Sequence, residues 1–231
     1  MARTPTLAAH IESVRFAAGT EILRTGAPIA HVYFPTSGVV SMLIALRHGR
    51  RAEVTTVGNE GMVGIGVWLG ASTSLNDAVQ QTGGELKRIA SRPFYELSAA
   101  SADARYVLRC FTAYRLRFAD QSAVCNAYHN VEQRSCRWLL TVRERAGSNE
   151  VQLTHAMLAE MLGVRRQSVT EVLRELQRDG VVRARPRSVT LLDPEQLGRR
   201  ACECYEDMRE VYREIVGPAL EEANVRAAAP M

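Results

Sequence analysis

The apolar positions between residues 153 and 176 predict two short amphipathic helices. In the first segment, Leu158, Met161 and Leu162 recur at the spacing that lines one helix face. The second segment repeats this spacing at four positions: Val169, Val172, Leu173 and Leu176. Gly163 separates the segments, and its tolerance of positive φ ends the first helix and turns the chain sharply into the second. This pattern is typical of a helix-turn-helix.

The second helix begins with four polar residues ahead of its apolar positions: Arg165, Arg166, Gln167 and Ser168. In a helix-turn-helix, this end of the second helix enters the major groove of DNA. An arginine there bonds guanine through two hydrogen bonds, and a glutamine bonds adenine in the same way. The sequence therefore indicates recognition of DNA bases. The alternative is an ordinary helical hairpin whose arginines lie on a solvated face.

Two β-prone runs follow the second helix, from Val181 to Leu192, on either side of a basic turn that contains Pro186. This pattern predicts a β-hairpin, the wing of a winged helix-turn-helix. The hairpin carries Arg183, Arg185 and Arg187. Their positive charge suits them to contact DNA phosphates.

The stretch from Ser13 to Ala90 has a different pattern, in which short apolar runs alternate with glycine-containing turns. The runs have the length of strands: 29–34, 39–46, 52–57, 78–82 and 85–89. Short strands at this interval predict a β-sandwich or jelly roll. Ahead of them, residues Met1 to Glu12 are expected to form a short leading helix.

From Arg92 to about Tyr128 the pattern becomes helical. Eight residues recur at alternating steps of three and four: Ala104, Val107, Phe111, Tyr114, Phe118, Gln121, Cys125 and Tyr128. Such a heptad row buries one side of a helix against a partner helix. It predicts a dimer seam in which two copies of the chain pair as a parallel coiled coil, with Gln121 setting the register. Packing of the row against the chain's own β domain is the alternative.

The segment 129–131 interrupts this helical pattern and predicts a hinge. A further helix is expected at 132–145, with a loop after it. A C-terminal helix is expected from Pro194 to about Val216, since Gly217-Pro218 disfavours its continuation. The alanine-rich tail beyond Asn224 is expected to be disordered.

Together these patterns predict an α+β chain in three parts. A β jelly roll occupies 1–100, a dimerisation helix 101–130, and a winged helix-turn-helix domain with its C-terminal helix 131–231.

Positive charge is concentrated in the predicted helix-turn-helix and wing. The formal net charge of +4 would not by itself establish a nucleic-acid partner. Between Gly163 and Ser188, however, seven arginines accompany three acidic residues. No apolar run approaches the roughly 20 residues of a membrane span, and the N-terminus lacks the apolar core of a signal peptide. The expectation is a cytoplasmic protein.

The five cysteines do not predict a disulfide framework, because their number is odd and no export signal accompanies them. Cys202 and Cys204, with one residue between them, have the side chains for metal binding or redox sensing. No second pair completes a zinc site. We therefore expect structural cysteines, no bound metal and no cofactor.

A jelly roll raises one enzymatic alternative, because metal-dependent cupins share that shape. Such a site needs clustered histidine and carboxylate ligands. The predicted roll offers only His31 and His48, without a His-x-His pair. Each histidine is expected at the surface or in a hydrogen bond, and the chain is not expected to be an enzyme.

A β roll, a long helix and a winged helix-turn-helix in this order resemble the Crp/Fnr family of bacterial transcription regulators. The resemblance rests most firmly on residues 153–174 and on two glycine-containing stretches, 32–38 and 58–64. It implies a cyclic-nucleotide-binding-like roll, a homodimer, a palindromic operator and a contact with RNA polymerase. The two half-sites would lie about 34 Å apart, in successive major grooves.

The chain departs from its cyclic-nucleotide-binding relatives at the phosphate site. In those members the phosphate pocket carries a Gly-Glu pair and an Arg-Ser pair, and the arginine pairs with the cyclic phosphate. Here Ile65 stands where the glutamate would be, and Leu75-Asn76 where Arg-Ser would be. A buried phosphate without a charged partner is strongly disfavoured, so tight binding of cyclic AMP is not expected. An N-terminal iron-sulfur cluster is not expected either, because Cys110 is the first cysteine. Binding of haem stays an open alternative.

The resemblance places Arg166, Gln167 and Glu171 at base-reading positions. It places a further set near phosphates: Arg165, Ser168, Thr170, Arg183, Arg185 and Arg187. Well-known members have arginine where this chain has Glu171, so its operator is expected to differ from theirs.

Two other functions stay open at this point. One is a small-molecule-binding roll or an enzyme whose helix-turn-helix makes protein contacts. The other is a regulator whose roll binds nothing and whose activity follows its expression level.

Overall fold

The β domain is a roll of two antiparallel sheets in a computed structural model that describes residues 7–228. Within those residues the strands are β1 (Glu12–Phe16), β2 (Glu21–Leu23), β3 (His31–Pro35), β4 (Val39–Ala45), β5 (Arg51–Val57), β6 (Asp77–Thr82) and β7 (Gly84–Ala90). One sheet has the order β1-β7-β3 and the other β2-β6-β4-β5. Apolar side chains from both sheets, such as Tyr33, Met42 and Leu86, fill the space between them.

The predicted jelly roll is confirmed, and its five predicted strands match β3 to β7. The sequence did not indicate β1 and β2, which are short and largely exposed and so lack a clear apolar alternation. The expected leading helix is wrong at its C-terminal end, because Leu7–His10 forms one 3-10 turn and β1 begins at Glu12. Its first six residues lie outside the described part of the chain.

Two helices follow the roll, α1 (Ser91–Ala100) and α2 (Ala102–Tyr128). Ser101 separates them, and its hydroxyl accepts a hydrogen bond of 3.2 Å from the backbone N–H of Ala104. This bond satisfies one of the free N–H groups at the start of α2. The long helix therefore begins at a defined position beside the roll.

The winged helix-turn-helix occupies the next part of the chain. It contains α3 (Val131–Ala146), β8 (Glu150–Gln152), α4 (His155–Leu162), α5 (Arg166–Arg178), β9 (Val182–Arg185) and β10 (Ser188–Leu191). The strands form one sheet in the order β8-β10-β9. Asn130 begins α3 with a capping box: its side chain and that of Gln133 each accept the other residue's backbone N–H. The predicted interruption at 129–131 is thus a helix boundary with its own cap.

The C-terminal region differs from the prediction of one helix that ends near Val216. Pro194 does begin a helix, α6 (Pro194–Arg200), but a second helix, α7 (Cys204–Ala228), continues through Pro218. Proline there removes one backbone hydrogen bond, which usually ends a helix. Val216 and Ala219 are buried, and their packing compensates for that loss. The expected disorder beyond Asn224 is wrong as far as Ala228, and residues 229–231 lie outside the described part.

The α7 helix covers the face of α2 that was predicted to form the dimer seam. The two helices run antiparallel, since Gln121 contacts Cys204 while Tyr114 packs edge-on against Tyr212 at 5.3 Å between ring centroids. The prediction of a dimer seam is wrong for five members of the row, which are buried inside one chain: Phe111, Tyr114, Phe118, Gln121 and Cys125. Of the other three members, Ala104 and Val107 are half-buried and Tyr128 is exposed.

The roll contacts the winged helix domain directly, through glycines that permit close approach. A Cβ atom on Gly58 would lie 2.5 Å from Cβ of Arg145, and one on Gly61 would lie 2.6 Å from the ring of Phe111. Arg145 of α3 is buried there and forms an ion pair of 2.9 Å with Glu60. The glycine-containing stretch 58–64 therefore lets α2 and α3 lie against the roll.

A second contact between the domains involves β5. Arg51 forms an ion pair of 2.9 Å with Glu160 of α4, and the indole N–H of Trp138 donates to Glu53 at 2.8 Å. The helix-turn-helix is therefore held against the roll by polar as well as apolar contacts. Within the described residues, no helix combines the length and the hydrophobicity needed to cross a membrane.

Glu53 predicts a pH dependence of stability. Burial raises the pKa of its carboxyl, and this outweighs the opposing hydrogen bonds from Ser41 and Trp138 and the charges of Arg137 and Arg145. The folded chain then holds the proton more tightly than the unfolded chain does. Stability is therefore lost as the pH rises from about 4.3, the value in an unfolded chain, towards the raised pKa of the folded state.

The variant Glu53→Gln has no charge to acquire over this window. Its free energy of unfolding, relative to that of the unaltered protein, is therefore expected to increase as the pH rises. Urea unfolding at a series of pH values measures the difference, with the exposed Glu96→Gln as control. Parallel pH profiles for Glu53→Gln and the unaltered protein would contradict the prediction.

Candidate nucleic-acid interface

The geometry of the helix-turn-helix follows from the residues at its two helix boundaries. Thr154 caps α4, because its hydroxyl accepts a hydrogen bond of 3.1 Å from the N–H of Met157. Gly163 ends the helix in the left-handed conformation, with φ of 65°. Val169, Leu173 and Leu176 bury the inner face of α5. The outer face and the N-terminal end of α5 are left to solvent.

Arg165, Arg166 and Gln167 are exposed at the N-terminal end of α5, as the sequence predicted. Among the described residues, no side chain caps this end of the helix. Unpaired N–H groups at a helix N-terminus attract anions such as phosphate. Two arginines, a glutamine and free backbone donors therefore face the same region of solvent.

Gln167 and Glu171 lie one turn apart and contact each other. The side-chain amide of Gln167 donates a hydrogen bond of 3.1 Å to the carboxylate of Glu171. One amide N–H and the carbonyl oxygen of Gln167 remain to face a base, which is the pair of groups that adenine requires. Glu171 can thus orient Gln167 as well as contact a base itself.

Thr170 and Ser168 are less accessible than the arginines. Both are half-buried, and the hydroxyl of Thr170 donates a hydrogen bond of 3.0 Å to the backbone carbonyl of Arg166. The imidazole Nδ1 of His155 lies 3.0 Å from the same hydroxyl. Burial, and then the charge of Arg166, lower the pKa of His155.

The wing is the hairpin of β9 and β10, with Arg183, Arg185 and Arg187 exposed along it. The hairpin is held to α5 by Gln177, whose side-chain carbonyl accepts a hydrogen bond of 2.8 Å from the N–H of Ala184. Arg174 lies in the groove between α5 and the wing. The sequence alone did not assign a function to Arg174 or Gln177, because their position depends on how the hairpin folds back onto the helix.

The resemblance places Ile65 and Leu75-Asn76 where cyclic-nucleotide-binding relatives bind a phosphate. Ile65 begins a 3-10 turn and packs against an apolar cluster that includes Phe94 and Phe111. Leu75 is 70% exposed. Val211 and Ile215 of α7 pack against the same cluster. At Ile65 and Leu75 the roll therefore has apolar side chains instead of charged ones.

A cavity of about 400 Å³ lies elsewhere, between α2, α3, α7 and the loop before Glu60. Its lining mixes aromatic and ionisable side chains, among them Tyr114, Arg137, Tyr205 and Arg209. This volume is sufficient for a small organic molecule.

The cysteines form one group that the sequence did not reveal. Cys202 and Cys204 have a second pair after all, because Cys125 and His129 at the end of α2 lie beside them. The prediction that no second pair exists was therefore wrong. It considered only spacing along the chain, whereas the fold brings together residues that are about 75 positions apart.

Comparison with known proteins identifies both halves of the chain. Residues 13–101 match the model of the cyclic nucleotide-binding domain, and residues 133–200 match that of the Crp-like helix-turn-helix domain. The chain belongs to the Crp/Fnr family. It is a DNA-binding transcription regulator of that family, whose members typically bind operators as dimers.

Similar regulators cover most of the chain. It is 27% identical over 211 residues to a CRP-like cAMP-activated global transcriptional regulator of Mycobacterium tuberculosis, covering 84% of this chain and 90% of that protein. The structure of FixK2 from Bradyrhizobium japonicum superimposes with a TM-score of 0.71 at 17% identity, covering 83% and 98%. The c-di-GMP responsive regulator CLP of Xanthomonas campestris gives 0.62 at 26% identity, covering 79% and 94%. The predicted fold and family are therefore confirmed.

The apolar phosphate position predicts weak or absent binding of cyclic AMP. Titration calorimetry of the purified protein is expected to show no binding of cyclic AMP with a Kd in the micromolar range or below, because Leu75 and Asn76 offer no positive charge to the phosphate. The cAMP-activated relative of Mycobacterium tuberculosis is a suitable positive control. Micromolar or tighter binding to this chain would overturn the assignment of these two positions.

Proposed function

We propose that the chain binds a palindromic operator as a homodimer, with the N-terminal end of α5 in the major groove and the wing on the DNA backbone. One observation carries this proposal: exposed arginines and a glutamine lie at an uncapped helix N-terminus, and three wing arginines lie beside it. Base edges and phosphates are the chemical groups that such side chains bind.

The proposed division of labour follows exposure along α5 and the wing. Arg166, Gln167 and Glu171 read bases. The phosphate contacts are assigned to Arg165, Ser168, Thr170, Arg183, Arg185 and Arg187, to which the position of Arg174 adds a further candidate. Thr170 contributes mainly by fixing the first turn of α5, since its hydroxyl is bonded to the Arg166 carbonyl.

We assign the dimer contact to a different face of α2 from the one predicted. Beyond the face covered by α7, five exposed apolar residues recur at steps that place them on one side of the helix: Ala113, Leu116, Ala123, Val124 and Ala127. Leu116 is 65% and Val124 48% exposed. Small residues between larger ones allow two helices to approach closely, as a homodimer of this family requires.

Further parts of the proposal rest on the family. RNA polymerase is the expected protein partner, the place of action is the cytoplasm where operator DNA lies, and the chain acts as a regulator rather than an enzyme. The three-part division at 1–100, 101–130 and 131–231 stays a prediction. The cavity beside Tyr114 favours a small effector over a roll that binds nothing.

Arg166→Ala tests the base-reading assignment. Operators are first selected from random DNA with the unaltered protein, and affinities are then measured by gel shift. The loss of a bidentate contact is expected to cost about 1–3 kcal/mol per half-site and to relax the preference at one base pair. The control Arg92→Ala removes an exposed arginine of α1 in the other domain and should leave affinity unchanged. Unchanged affinity and sequence preference in Arg166→Ala would show that α5 does not read bases as proposed.

Arg185→Ala tests the phosphate assignment of the wing. Each phosphate contact that is lost should reduce the slope of log K against log salt concentration by about 1, hence by about 2 for a symmetric dimer. The base preference should stay the same, since phosphates carry no sequence information. Gel shifts across a salt series on matched and mismatched operators provide the measurement. A changed base preference with an unchanged salt slope would argue against this role.

A further inference from the structure

Four side chains with metal-binding atoms meet at the boundary between α2 and α3. They are Cys125, His129, Cys202 and Cys204, and one ligand atom from each lies within 4.8 Å of all the others. The sulfur atoms of Cys125 and Cys202 are 3.6 Å apart, as are the sulfur of Cys204 and Nδ1 of His129. The three cysteines are buried, with at most 3% of their surface exposed.

The two separations of 3.6 Å are those of neighbouring ligands around one tetrahedral metal ion. Zinc binds cysteine sulfur at about 2.3 Å and histidine nitrogen at about 2.0–2.1 Å, which places neighbouring ligand atoms of a tetrahedron roughly 3.5–3.8 Å apart. An iron-sulfur cluster distributes its ligands over two or more irons and so spreads the ligand atoms further apart. The geometry therefore favours a single ion.

Two separate parts of the chain supply the ligands, each at a structurally defined point. Cys125 and His129 lie four residues apart at the end of α2, so they project from the same side of the helix. Cys202 lies in the link between α6 and α7, and Cys204 is the first residue of α7. The packing of α7 along α2 brings the two pairs together.

The surrounding polar groups orient the ligands as they do in known metal sites. Nε2 of His129 lies 3.1 Å from the carboxylate of Glu203, so Nδ1 is directed towards the sulfur atoms. The side-chain amide of Gln121 donates a hydrogen bond of 2.9 Å to the sulfur of Cys204. A carboxylate behind a ligating histidine is a recurrent feature of zinc sites. Ordinary packing of buried cysteines would not require either contact.

We propose that Cys125, His129, Cys202 and Cys204 bind one Zn²⁺ ion in a closed tetrahedral site. Three thiolates and a neutral imidazole leave the zinc complex with one negative charge, and Arg134 and Arg137 act electrostatically on Cys125 from α3. Because the protein supplies all four ligands, the site is structural rather than catalytic. It fixes the α6–α7 link to the end of α2, beside the cap that begins α3.

Metal content is the first test. The full chain, expressed with zinc in the medium and purified under reducing conditions, is expected to contain about one zinc per chain by plasma mass spectrometry. X-ray absorption at the zinc edge should show three sulfur ligands at about 2.3 Å and one nitrogen at about 2.0–2.1 Å. Removal of the metal with a chelator should lower Tm by about 5 °C or more, with recovery on adding zinc.

Variants locate the metal. Cys202→Ser and His129→Gln should reduce bound zinc by at least ten-fold. The control is Cys110→Ser, which changes a cysteine of α2 outside the group of four and should retain the zinc under the same conditions. Where a variant fails to fold, cobalt(II) added to the metal-free unaltered chain gives the same information. Tetrahedral thiolate ligands produce intense visible bands and a sulfur-to-cobalt charge-transfer band.

Glu203→Gln tests whether Glu203 orients His129. The side chain of Glu203 is exposed, so this variant is expected to fold. This variant should still bind one zinc at excess metal, with affinity lowered about 10–100-fold in competition with a chromophoric chelator. Zinc-free protein with no tetrahedral cobalt spectrum would overturn the proposal. A Cys125–Cys202 disulfide in the freshly purified protein, or the absorption of an iron-sulfur cluster, would overturn it as well.

Discussion

The apolar face of α2 must be removed from water, and the arrangement of the chain follows from what covers it. Phe111, Tyr114 and Phe118 each bury a large aromatic surface, whose exposure would cost about 1.5–3 kcal/mol per side chain. The roll covers the N-terminal part of this face, where Gly61 allows contact with Phe111. The α7 helix covers the rest. One helix therefore gathers the roll, the winged helix domain and the C-terminal helix around itself.

The same arrangement connects the proposed sensing and DNA-binding parts of the chain without a flexible linker. Arg145 of α3 is buried in the roll, paired with Glu60 and within hydrogen-bond distance of Tyr114 on α2. A buried guanidinium that loses its carboxylate partner is strongly unfavourable, so the three elements are constrained to move together. Glu60 is therefore a point at which the roll contacts α3, and α3 itself begins at the Asn130 cap directly after α2.

Sequence patterns predicted the parts of the fold that are determined by residues close together in the chain. The turn at Gly163 and the strand-length runs of β3 to β7 are of this kind, and so is the exposed tip of α5. The heptad row of α2 correctly predicted that residues such as Tyr114 are buried. The spacing of the row does not identify the element that buries them. The length of that element, α7, was predicted wrongly, because local rules end a helix near Pro218 and take no account of the packing of Val216. The grouping of Cys125 with Cys202 depends on that packing and was inaccessible for the same reason.

The path of α7 has a mechanical consequence. It starts beside the junction of α2 and α3 and runs back antiparallel along α2 to the roll, so it is attached to the winged helix domain at one end and packed against the roll at the other. The winged helix domain therefore cannot swing about Asn130 without disturbing the packing of α7 against α2 or against the roll. With its start fixed to α2 by the proposed zinc site, α7 acts as a brace between the two domains.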